Sequence, residues 1–152
     1  MPGEIKVFLD TSALFSGVHP ETGGARLILK LGEAGAIQLW IGPWVLREAE
    51  AVIERKSPES KAYFALLLDC ARVNVAKGAG EEALKRASAV IDYLPDAQVV
   101  AEALEVGVDY FVSFDREHLV GNPCADELPF PMGTAGDFLA WYRGRLTRTR
   151  EI

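Results

Sequence analysis

A chain of 152 residues with 49% hydrophobic and 25% charged residues falls within the size and composition of one globular unit and leaves little room for long disorder. No stretch reaches the ~18 consecutive apolar residues of a membrane-spanning helix, and the first residues lack a basic segment followed by an apolar signal core, so a cytoplasmic protein with no membrane partner is expected. The formal net charge of −6 argues against a surface built to wrap nucleic acid.

The elements follow in chain order. Residues 5–9, "IKVFL", form an apolar, β-favouring run that stops at Asp10, as a buried parallel strand does. "TGGARLILKLGEAG" places Ala25, Leu27, Ile28, Leu31 and Ala34 at helical spacing, with Gly35 as the stop. "IQLWIG" reads as the second strand. "GPWVLREAEAVIERK" has Pro43 suited to a first helical turn and Val45, Leu46, Ala49, Val52 and Ile53 along one face. "SPESKAYFALLLDCA" is a further helix carrying Tyr63, Phe64, Leu66, Leu67 and Leu68, and "VNVA" a short strand after it. Gly78 and Gly80 break the chain before a helix over 81–93. Pro95 restarts the helical pattern, and "DAQVVAEALEVG" ends at Gly107. "DYFVSF" is the next strand and runs out at Asp115. After a loop with Pro123, Pro129 and Pro131, Thr134 is the N-cap of a last helix with Phe138, Leu139 and Tyr142 on one stripe.

Strands alternating with helices imply right-handed crossovers and a mainly parallel sheet covered on both faces, with residues 1–152 as a single domain. In such sheets the functional crevice lies beyond the carboxyl ends of the strands. Four acids reach that edge: Asp10 after the first strand, Glu48 in the helix after the second, Asp96 at a helix start and Asp115 after a late strand. Each has a plain structural reading. Asp10 caps the segment at 12, Asp96 sits where a helix dipole welcomes an anion, and Asp115 closes a turn. Glu48 is the least cap-like.

Together the four are harder to account for, because carboxylates brought within ~4–6 Å repel and must protonate or share a cation. Oxygen ligands suit Mg²⁺ or Mn²⁺, which use few carboxylates and leave room for a phosphate oxygen. Metal-assisted attack of water on a phosphodiester fits this set, with Asp10, Asp96 and Asp115 holding the ion directly or through water and Glu48 completing the cage or orienting the water. Ser12 and Ser113 are placed to hydrogen-bond the carboxylates or a phosphate.

The segments "VFLDTSAL", "PWVLREAEAVIER", "LPDAQVVAEALEVGVDYFVSFDREHL" and "TAGDFLAWY", in this order, resemble the PIN-domain nucleases, including the VapC-type ribonuclease toxins. The resemblance runs from about residue 5 to 142. It implies a Rossmann-like α/β/α sandwich, Mg²⁺ or Mn²⁺ dependence, cleavage of RNA, frequent homodimers and, for a VapC-like member of a VapBC pair, a cognate antitoxin covering the site. The family's acidic quartet carries onto Asp10, Glu48, Asp96 and Asp115, and its hydroxyl residue before the last acid onto Ser113. Glu117 occupies the position of a further acid found in some members.

Lys6, Arg47, Arg116 and the arginines of the basic end 143–152 are the cations available to a substrate. Arg143, Arg145, Arg148 and Arg150 read either as a solvated helix end or as a phosphate-binding tail. Trp44, near Glu48, is the indole best placed to stack a base, whereas Trp40 and Trp141 read as packing residues. His19 and His118 lack a ligand-spaced motif and read as loop or surface residues, with His118 near enough to Asp115 to reach a leaving group. Cys70 and Cys124 are expected to stay reduced. Gly23-Gly24 is too short for a phosphate loop. Two other readings compete with a nuclease. One is a catalytically weak PIN-like module binding RNA or protein. The other is an aspartyl-phosphate or receiver-like domain, which the absence of a D-x-D motif at Asp10 disfavours.

Overall fold

The computed structural model describes residues 4–18 and 23–150, and of 149 and 150 the backbone alone. Five parallel strands form the centre: β1 (Ile5–Leu9), β2 (Ile37–Ile41), β3 (Asn74–Val75), β4 (Tyr110–Val112) and β5 (Met132–Gly133), in the order β3-β2-β1-β4-β5. Among the described residues seven α-helices connect and flank them: α1 (Thr11–Val18), α2 (Gly23–Glu33), α3 (Pro43–Lys56), α4 (Lys61–Cys70), α5 (Glu81–Ser88), α6 (Leu94–Val106) and α7 (Ala135–Arg150). Among them no helix is long and apolar enough to cross a membrane.

The apolar strands explain the middle layer. Val7, Phe8, Leu39, Ile41, Phe111 and Val112 are fully buried, as expected where helices cover both faces of a parallel sheet. Phe8 and Phe111 are adjacent in the β1–β4 register and stack at 5.3 Å. Burying each ring contributes about 2–3 kcal/mol. The sheet grows outward from β1 through β2 to β3 and then crosses back to β4, so β1 and β4 flank the point where strand order reverses. A crevice opens there beyond the strand ends.

Several expectations need correction. On α2 the buried face is Ala25, Ile28, Leu29 and Gly32, whereas Leu27 is exposed and Ala34 lies beyond the helix end; the packed stripe is rotated from the one spacing suggested. The helix expected over 81–93 ends at Ser88, where the chain turns and Val90 N and Ile91 N both bond Ala87 O. On α4 only Phe64 is buried, and Tyr63 and Leu66 face outward. The edge strand β5 was not anticipated, because two residues after prolines carry no periodic signal. Trp141 packs against Tyr110 and Phe138, and Trp40 against the core. Cys70 and Cys124 are exposed and unpaired. His19 lies outside the described residues.

Candidate metal centre

The carboxylate of Asp10 stands at the carboxyl end of β1 and opens α1. Its Oδ1 accepts from Ala13 N at 2.9 Å and from Ser12 Oγ at 2.8 Å, and its main-chain oxygen takes the first helical bond from Leu14 N. This is N-cap geometry. On the other side Oδ2 accepts from Ser113 Oγ, a contact the parallel register provides, since Asp10 N bonds Val112 O across to β4. Burial raises the Asp10 pKa, although Ser113, Ala13 and Ser12 donate to its charged form.

The two serines tie the ends of β1 and β4 together. Ser113 Oγ also accepts from Asp115 N at 2.9 Å, and Ser12 Oγ from Phe114 N at 3.0 Å. Asp115 then closes its own turn, with Oδ1 accepting from Glu117 N at 3.0 Å and His118 N at 2.9 Å. Burial alone would raise its pKa, but these N–H groups and the His118 ring outweigh that and hold it below the ordinary value. Asp115 Oδ2 stays directed into the crevice, 3.3 Å from His118 Nδ1.

Asp96 arrives from α6, one residue after Pro95 in the first turn. Its Oδ2 is buried and accepts no hydrogen bond, and His118 Nδ1 lies 3.5 Å away. Burial, with repulsion from Asp115, pushes its pKa up to about 6. Among the described residues the donor atoms lying within 4.8 Å of one another belong to Asp96, Asp115 and His118. Asp10 and Glu48 line the same cleft, of about 190 Å³, outside that group.

Glu48 reaches the cleft because α3 is fastened at its start. The Glu102 carboxylate, 2% exposed on α6, accepts from Trp44 N at 3.2 Å and from Gln98 Nε2 at 3.3 Å. Burial raises its pKa against those bonds. Gly42 makes room for it: a Cβ there would lie 1.9 Å from Glu102 Oε1. Trp44 and Tyr93 line the cleft mouth, Tyr93 stacking on His118 at 5.0 Å. Arg47 sits over the Trp44 ring at 6.0 Å and borders an apolar hollow with Glu48 and Ala51.

Other residues singled out in the sequence stand apart. Glu117 is exposed and contributes its main-chain N–H to Asp115, while its carboxylate does not line the cleft. Arg116 is exposed and lies in the field of Asp137. Arg143 and Arg148 are exposed on α7, and Arg145 lies 4.8 Å over Trp141. Two features carry little signal in the sequence: the ring of His118 among the acids, and Glu102 as the anchor of α3. A spacing of three residues from Asp115 to His118 on a turn is the only sequence signal for the first; an acid on the apolar face of α6 is the signal for the second.

The donor set fits a divalent cation. Two carboxylates share a confined space with an imidazole, one buried carboxylate oxygen accepts no hydrogen bond, and burial together with the neighbouring Asp115 raises the pKa of Asp96. The carboxylate oxygens are ligands for ions of the Mg²⁺ and Mn²⁺ type.

No family model matches the sequence, and no curated protein matches it. Among solved structures, the crystal structure of Mycobacterium tuberculosis VapC20, described as a Sarcin-Ricin loop cleaving toxin, is similar with a TM-score of 0.53 and 16% sequence identity, over 73% of this chain and 91% of that one. The likeness is one of fold, and it bears out the Rossmann-like α/β/α sandwich with a mainly parallel sheet.

Proposed function

We propose that the protein is a metal-dependent endoribonuclease that hydrolyses RNA phosphodiesters, the toxin of a VapBC-like toxin–antitoxin pair. The observation that carries the reading is the gathering of Asp10, Glu48, Asp96 and Asp115 around one cleft at the strand-order reversal. The fold shared with a VapC toxin supports it.

In this reading Asp96 and Asp115 hold the cation, with Asp10 behind them, directly or through water. A bound Mg²⁺ or Mn²⁺ supplies Lewis acidity and neutralises charge on the scissile phosphate. Glu48, outside the tight donor group, orients the attacking water and receives its proton. Ser12 and Ser113 fix the Asp10 carboxylate so that its charge is directed to the cleft. Trp44, with Arg47 over its ring, offers a base-stacking surface at the mouth. Arg116 and the basic end of α7 are the cations for the RNA backbone. A homodimer, a cognate antitoxin over the cleft and a cytoplasmic location belong to the same proposal.

Purified protein is expected to cleave RNA with Mg²⁺ or Mn²⁺ and to stop with chelator. Asp10→Asn is the sharpest variant, because asparagine keeps an oxygen for the α1 cap and should leave the fold intact. Its cleavage should fall by at least about a hundredfold. Equal cleavage by wild type and Asp10→Asn at matched circular dichroism would assign the activity to a contaminant and sink the reading.

A further inference from the structure

His118 is held from four directions. Its N–H donates to Asp115 Oδ1 at 2.9 Å, its carbonyl accepts from Asn122 Nδ2 at 3.1 Å, and its ring stacks on Tyr93 at an interplanar angle of 25°. Its Nδ1 edge faces Asp115 Oδ2 at 3.3 Å and Asp96 Oδ2 at 3.5 Å. The Asp115 oxygen facing the ring is the one not spent on the turn, and the Asp96 oxygen is the buried one without a hydrogen bond. Three donor atoms, from the loop after β4, a helix start and a turn, therefore lie within 4.8 Å of one another.

Their spacing is close to that of ligands around an ion. An octahedral centre with bonds of about 2.1–2.2 Å places neighbouring donors about 3.0–3.1 Å apart. The two observed edges to Nδ1 exceed this by a few tenths of an ångström, within the reach of small side-chain rotations. An imidazole nitrogen also discriminates among ions: it binds first-row transition metals well, whereas Mg²⁺ keeps to oxygen.

We infer that His118 Nδ1 is a ligand of the same ion that Asp96 and Asp115 hold, and that this nitrogen makes the centre prefer Mn²⁺ to Mg²⁺. The inference rests on the metal-centre reading above and goes beyond it in assigning a nitrogen ligand and an ionic selectivity. Ligation uses the Nδ1 lone pair, so the ring of the loaded protein carries its proton on Nε2. Tyr93 becomes a positioning residue, keeping the imidazole plane turned toward the acids.

The test loads the full chain with Mn²⁺ and reads the ion itself, by calorimetry and by pulsed electron paramagnetic resonance. Wild type and His19→Gln should both show modulation from a directly bound imidazole nitrogen, and His118→Gln should lose it. Growth on ¹⁵N-histidine should change the modulation in the unaltered sequence, which frees the test from any effect of substitution on folding. In calorimetry His118→Gln should bind Mn²⁺ about tenfold or more weakly, with Mg²⁺ affinity changing less than about twofold. Bound Mn²⁺ without nitrogen modulation, or equal losses for the two ions, overturns the assignment of His118 and leaves the metal centre standing. Failure of wild type to bind Mn²⁺ at millimolar concentration overturns both.

Discussion

Asp10 meets two demands with one carboxylate. As an N-cap it satisfies Ala13 N, and as a neighbour of Ser113 it ties β1 to β4. The structural reading of its position therefore holds, and the same hydrogen bonds work against the rise that burial imposes on its pKa. Asp96 is different, because its Oδ2 is buried and accepts no hydrogen bond. Its carboxyl is raised from 3.8 to about 6, first by burial and then by Asp115, with His118 opposing and Asp10 adding to the rise. The folded chain thus retains a proton that the unfolded chain releases between about pH 4 and 6, so stability falls as pH rises through that window and the penalty is complete above it. The penalty is at most about 3 kcal/mol. Asp96→Asn should remove it: metal-free thermal melts at pH 8 are expected to rise by roughly 5 °C, and the difference should vanish near pH 4. Saturating Mn²⁺ should narrow or reverse the order, since the wild-type site gains more from the ion. An unchanged melting temperature at pH 8 would show that the carboxylate carries no such strain.

At the scale of elements, α3 and α6 are joined by a buried acid. Glu102 bonds the first turn of α3 through Trp44 N, and Gly42 leaves the space it fills. Glu48 and Asp96 ride on these two helices, so the joint sets the distance between them. Gly42→Ala should destabilise the protein by about 1–3 kcal/mol in urea unfolding, because its Cβ collides with the Glu102 side chain. Combined with Glu102→Ala, the two costs should fall well short of additivity. Strict additivity would mean that α3 is anchored some other way. Helices α3, α6 and α7 were readable from spacing, caps and stops: Pro43 begins α3, Gly107 in the left-handed region with φ 74° ends α6, and Thr134 caps α7 by accepting from Asp137 N while Asp137 accepts from Thr134 N. The rotated stripe on α2 and the exposed flank of α4 were not, because periodicity marks an apolar face without saying which part of it a neighbour covers.

Across the whole molecule the charge is unevenly distributed. The cleft is acidic and the net charge is −6, yet α7 carries Arg143, Arg145 and Arg148 in one run. If this helix end holds RNA phosphates, replacing Arg143 and Arg148 with glutamine should lower the slope of log affinity against log salt by about 1.4, measured by fluorescence anisotropy with single-stranded RNA between 50 and 200 mM salt. An unchanged slope would make it a solvated helix terminus, the other reading its sequence allowed.

The order of apolar runs, each ending at an acid or a glycine, was enough to determine a parallel α/β sandwich and the edge at which its acids emerge, since burial on both sheet faces and the right-handed crossover leave few alternatives. Only the tertiary structure decided which side chains meet there. Asp10, Glu48, Asp96 and Asp115 share the cleft, but the tightest donor group takes His118 in place of Asp10 and Glu48, and the carboxylate of Glu117 stays outside. The reason is physical. A strand's register fixes where a residue emerges, whereas the direction of its side chain depends on the hydrogen bonds made on arrival, and those partners come from strand ends, turns and helices far apart in the chain.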